Sequence, residues 1–130
     1  MASFTVRLVE RLRASGISDI TVYAESFPAP KAKPPHIVGI ISSGETTAGN
    51  NRYPIWESKR FMVTGSSSLA MTKAQAVLDY FMPAGQDPSL SFVQNEYACY
   101  TVRLEKKPTF VSNTGNIFIV EFILRFLIAA

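Results

Sequence analysis

Histidine, cysteine and tryptophan each occur once in these 130 residues. With Cys99 alone, no internal disulfide can form, and the chain suits a reducing compartment. With His36 alone, any Ser-His-Asp or Cys-His arrangement would have to use that residue. No partner at a meaningful spacing presents itself. The three aspartates, Asp19, Asp79 and Asp87, are scattered, so a metal-ligand cluster is not expected, and neither is any other cofactor. The last apolar run, Ile117 to Ile128, is too short for a membrane helix and contains Glu121 and Arg125. Met1-Ala2-Ser3-Phe4 lacks the charged lead and apolar core of a signal peptide, so synthesis in the cytosol is expected. A formal charge of +3 is too mild to imply nucleic acid by itself.

Apolar residues are plentiful at 47%, against 18% charged. A chain of this length fits one domain, residues 1–130, and can bury a core without a disulfide or metal. The apolar surplus must be hidden somewhere, and a subunit interface is one such place.

Phe4, Leu8 and Leu12, with Val9 beside them, have helical spacing and predict a helix from Phe4 to Ser15. Ser3 can cap its start and Gly16 its end. Ile20, Val22 and Ala24 alternate with Thr21, Tyr23 and Glu25 as a short strand. The stretch from Phe27 to Pro35 has four prolines and reads as an extended connection. His36 to Ser42 reads as a buried strand, Gly44 to Arg52 as a polar loop, and Tyr53 to Thr64 as the returning strand. Glu57 and Lys59 share the parity of Tyr53, Ile55, Phe61 and Val63. A bulge near Glu57 to Arg60 would repair that pattern.

Ala70, Ala74, Val77, Leu78 and Phe81 form one face of a second helix, ended by Pro83 and Gly85. Ser67 or Ser68 can cap it, or Thr72-x-x-Gln75 can start it one turn later. Asp87 to Ser91 reads as loop. Tyr97 to Leu104 alternates as a strand, with Ala98, Tyr100, Val102 and Leu104 on one side. Glu105-Lys106-Lys107-Pro108 reads as a turn, and Asn113-Thr114-Gly115-Asn116 as another. In the final strand Phe118, Val120, Phe122, Leu124, Phe126 and Ile128 give a fully apolar face. The other face mixes Ile117, Ile119, Ile123 and Leu127 with Glu121 and Arg125. The order α-β-β-β-α-β-β predicts an α+β fold. It is a mixed, mainly antiparallel sheet of about five strands with two helices on one face.

Chemistry is sparse. Cys99 reads as a small structural residue. Gly65-Ser66-Ser67-Ser68 lacks the lysine and glycine spacing of a P-loop and reads as capping. Gly44 to Gly49 fails the dinucleotide pattern because no helix follows. An enzyme would need a site shared between subunits, drawing on His36, Glu57 or Glu96. Lys31, Lys33 and Arg52 beside Tyr53 and Trp56 could serve a small single-stranded nucleic-acid-binding module. Trp56 and Phe61 read more simply as core or interface anchors.

The element order and the strings "VYAESFP", "AQAVLDYF" and "PTFVSNTGNIFIVEFILRFLI" resemble the tail terminator and minor capsid (tail completion) family of long-tailed bacteriophages. The resemblance covers nearly the whole chain. It implies a structural virion protein, not an enzyme, in the tail or neck, assembled in the host cytoplasm. Such proteins form a ring, generally of six subunits, that caps the head-proximal end of the tail tube and ends its polymerisation. The implied partners are further copies of the chain, the tail tube protein and a head-tail connector or stopper protein. DNA passes through the lumen without specific binding, and no membrane is involved. An adjacent neck or connector subunit is the nearest alternative. By this analogy the subunit contacts fall on three regions. The first is the 27–35 link, with Phe27, Pro30, Lys31 and Lys33. The second is the 44–53 loop and the strand after it, with Glu45, Asn50, Arg52, Tyr53 and Trp56. The third is the sheet face bearing Glu121 and Arg125.

Overall fold

In a computed structural model, Phe4–Arg13 forms helix α1, which buries Phe4, Thr5, Leu8, Val9 and Leu12. The structure describes residues 4–25, 36–42, 55–66, 69–83, 90–92, 97–115 and 117–129. Gly16, with φ of 84°, supplies the left-handed residue that lets the chain leave α1. Strand β1 (Ile20–Ala24) pairs in parallel with β2 (His36–Ser42), and β2 pairs antiparallel with β3 (Ile55–Ser66). Helix α2 (Leu69–Phe81) buries Ala70, Ala74, Val77, Leu78 and Phe81, the five residues that its periodicity selects. It starts at Leu69, so Thr72 and Gln75 lie inside it rather than at its cap. Ser3, Ser67, Ser68 and Gly85 lie outside the described residues.

The chain then forms β4 (Leu90–Phe92), β5 (Tyr97–Thr114) and β6 (Ile117–Ala129). The sheet order is β1-β2-β3-β6-β5-β4. The α+β reading therefore holds, with β4 as a sixth strand at the edge. Three residues carry no periodicity, which is why that stretch reads as loop.

Two local expectations are corrected. β3 has no bulge: its register runs unbroken from Ile55↔Ile128 to Ser66↔Ile117. The pattern needs no repair because Lys59 lies in the core layer, 3% exposed, with polar partners. The second correction concerns Glu105 to Pro108, which do not turn the chain. β5 runs through them and absorbs the mismatch at four register shifts against β6. Lys107 and Pro108 fall within one shift, where the N–H that proline lacks is not needed. Another shift, between Cys99 and Thr101, reverses the facing of the strand. Tyr97, Cys99 and Val102 are buried, whereas Ala98, Tyr100 and Leu104 are exposed. The Asn113–Asn116 turn stands, with Gly115 at φ of 61°.

The core is a phenylalanine stack. Phe61 of β3 and Phe122 of β6 lie parallel, 4.8 Å apart. Phe126 of β6 touches Phe4 of α1 at 5.3 Å and Phe81 of α2 at 5.9 Å. One β6 side chain thus meets both helices, so both cover the same face. Tyr80 of α2 also donates a hydrogen bond to the Arg11 carbonyl of α1. Among the described residues, no helix lies on the opposite face.

Candidate protein-interaction face

β3, β6 and β5 direct alternate residues away from the helices. β3 places Trp56, Ser58, Arg60 and Met62 there, and β6 places Ile119, Glu121, Ile123, Arg125 and Leu127. All of these are half-buried, in contrast to Val120, Phe122, Leu124 and Phe126 on the helix side, which are fully buried. The face is therefore a broad strip of partly wetted apolar side chains with ions set into it.

Those ions neutralise one another within the face. Glu121 lies between Lys106, at 3.0 Å, and Arg60, at 3.9 Å, and its side chain is only 13% exposed. Arg125 approaches Glu105 at 3.7 Å. The guanidiniums of Arg103 and Arg125 sit 5.3 and 5.0 Å from the Trp56 ring centre, within cation–π range. Cross-strand pairing explains the assembly: Arg103 stands opposite Arg125, and Trp56 opposite Leu127.

Trp56, Glu121 and Arg125, chosen from sequence, thus share one face. Phe27, Pro30, Lys31, Lys33, Glu45, Asn50, Arg52 and Tyr53 lie outside the described residues. Sequence reasoning missed Arg60, Met62, Arg103 and Lys106 as members of the face. Arg60 and Met62 could have been found by counting in twos from Trp56. The other two could not, because the β5 register shifts are invisible in sequence.

A second polar cluster lies where the core layer ends, beside α1. Lys59 Nζ donates to Ser42 Oγ at 3.1 Å and to Glu57 Oε1 at 3.3 Å. Ser42 Oγ donates to Glu25 at 2.8 Å and lies 3.4 Å from Thr5 Oγ1. The ammonium also stands 5.9 Å from the Phe4 ring centre. This network fastens β1, β2, β3 and α1 together.

His36 is 3% exposed, and its Nδ1 lies 3.2 Å from the Asp19 carbonyl. It packs against Gly65, eight residues along β3 from Glu57, or roughly 26 Å. The two residues are therefore not brought together, and Glu96 lies outside the described residues. Cys99 is buried, with its Sγ 3.4 Å from the Thr101 carbonyl. Among the described residues, no three His, Cys, Asp or Glu side chains group as metal ligands, and no helix is long and apolar enough to cross a membrane.

The whole fold has a counterpart. A chain from the virion of a native gene transfer agent particle superposes on this one with a TM-score of 0.68. The match covers 98% of this chain and 96% of that one, at 11% identity. The two chains share a fold. No family model and no curated protein matches this sequence.

Proposed function

We propose that this chain is a structural virion protein. It forms a homo-oligomeric ring, sixfold in the first instance, that caps the head-proximal end of a phage tail tube. The ring ends tube polymerisation and joins tail to head connector. The observation that carries the reading is the end-to-end fold likeness to a chain of a gene transfer agent virion. The half-buried sheet face supports it, because an apolar strip of that size is ordinarily covered in an assembly. The role needs no covalent chemistry.

The face suits a protein partner better than nucleic acid. Gripping phosphates requires cations free to replace counterions. Arg60 and Lys106 already flank Glu121, Arg125 approaches Glu105, and Trp56 is engaged by two guanidiniums instead of presenting a bare stacking platform.

The test is the absolute mass of the purified protein by native mass spectrometry, followed by electron microscopy of tail tubes mixed with it. A closed ring found at one end of each tube is the expected result. A chain that neither closes into a ring nor binds tube ends would sink the proposal.

A further inference from the structure

Both edges of the sheet are guarded against adding another strand. In β1 the His36 N–H bonds the Asp19 carbonyl and the Glu25 N–H bonds the Ile40 carbonyl. Odd-numbered residues of β1 therefore face β2, and the Val22 carbonyl faces outward. Arg13 Nη2 of α1 already donates to it at 2.7 Å. At the other edge, β4 covers β5 only at Tyr97–Cys99. Beyond it, β5 carries its four register shifts and Lys106-Lys107-Pro108. Bulges, lysines and proline are the devices that blunt an exposed edge. Association by strand addition is therefore disfavoured, and the faces remain.

The chain displays two apolar patches on opposite sides of the sheet. The first is the open face, centred on Met62, Ile123 and Leu127. The second lies on the helix side, beyond the reach of the helices. There Leu104 and Phe110 stand opposite Leu124 and Val120 yet are 42% and 46% exposed, and Val111 beside them is 43% exposed. Three strands of about 12 residues with half of β2 span roughly 600–700 Å². That is close to the ~800 Å² per partner of a standard interface. Because the ions of the open face are paired internally, an uncharged apolar surface can cover it without stranding a charge.

We propose that the open sheet face of one copy receives the Leu104–Phe110–Val111 patch of the next copy. Two different patches on one chain make the contact heterologous, the kind that propagates into rings. This inference rests on the ring reading and specifies how its subunits meet.

The experiment uses two purified full-length variants, Ile123→Asp on the receiving face and Phe110→Asp on the inserting patch. Native mass spectrometry reads their assembly and circular dichroism their folding. Each variant alone should stay monomeric, with its assembly midpoint raised at least about tenfold. Mixed in equal amounts, they should give a heterodimer and nothing larger, since each retains the patch that the other lacks. Met62→Arg and Leu104→Asp serve as second variants if either first choice fails to fold. If the wild type forms a ring that both variants retain, this inference is overturned and the ring reading stands. A mixture that stays monomeric beside a ring-forming wild type overturns it in the same way. A wild type that stays monomeric, both free and with tube ends, overturns both.

Discussion

Lys59 offers the sharpest test of how the fold is held together. Its side chain is 3% exposed, and its ammonium bonds Ser42 and Glu57, with the Glu57 side chain 21% exposed. Lys59→Ala would remove the cation, leave a partly buried carboxylate unpaired and open a cavity where four methylenes had packed. Breaking a buried ion pair costs about 3–5 kcal/mol. Glu57 keeps some solvent, which moves the expected loss to the lower end, about 3 kcal/mol. Lys59→Met would keep most of the volume and remove only the charge, so about 1–2 kcal/mol is expected. Lys59→Met with Glu57→Gln removes both charges and should lie within about 1 kcal/mol of wild type. Urea unfolding followed by far-UV circular dichroism measures all three. The reasoning fails if Lys59→Ala costs less than about 1 kcal/mol, or if Lys59→Met is as damaging as Lys59→Ala.

Gly65→Ala should destabilise the protein by about 1–3 kcal/mol in the same assay, because its Cβ would come within 2.2 Å of the buried His36 ring. His36→Ala in that background should recover part of the loss. Phe126→Ala removes a ring packed against Phe4, Phe61 and Phe81 and should cost about 3–5 kcal/mol. Phe110→Ser, at a 46% exposed position, should change stability by less than about 1 kcal/mol. Arg13→Ala uncovers the Val22 carbonyl and should cost about 1 kcal/mol. It should also speed amide exchange in β1 while leaving β6 unchanged, which mass-detected hydrogen exchange can read.

Periodicity made the two helices and the β6 face legible. Ala70, Ala74, Val77, Leu78 and Phe81 read as one stripe and are buried as one stripe. Phe118 to Ile128 read as alternation and are paired as alternation, with both neighbours in place. β5 was not legible beyond its first residues. A bulge moves one residue out of the ladder and reverses every side chain after it, and nothing in the identity of Tyr100 or Glu105 announces that. Lys59 was misjudged for a different reason. A charged residue at a core parity position reads as an error in register. Only the tertiary structure shows that Ser42 and Glu57 wait there to accept its protons.

The same limit governs the candidate face. Trp56, Glu121 and Arg125 could be selected because each departs from its surroundings, as a lone tryptophan or an ion within an apolar strand. What makes them a surface is the register between β3, β6 and β5, which no single strand encodes. That register also explains how such a face can exist uncovered. Glu121 draws Arg60 and Lys106 over the apolar strip, so the free subunit presents ions as well as apolar groups to water. In an assembly those ions can be covered together as a neutral set. A strip with the same apolar residues and no Glu121 would leave two like charges facing each other across it. The carboxylate therefore serves solubility before assembly and neutrality after it, with one side chain meeting both requirements.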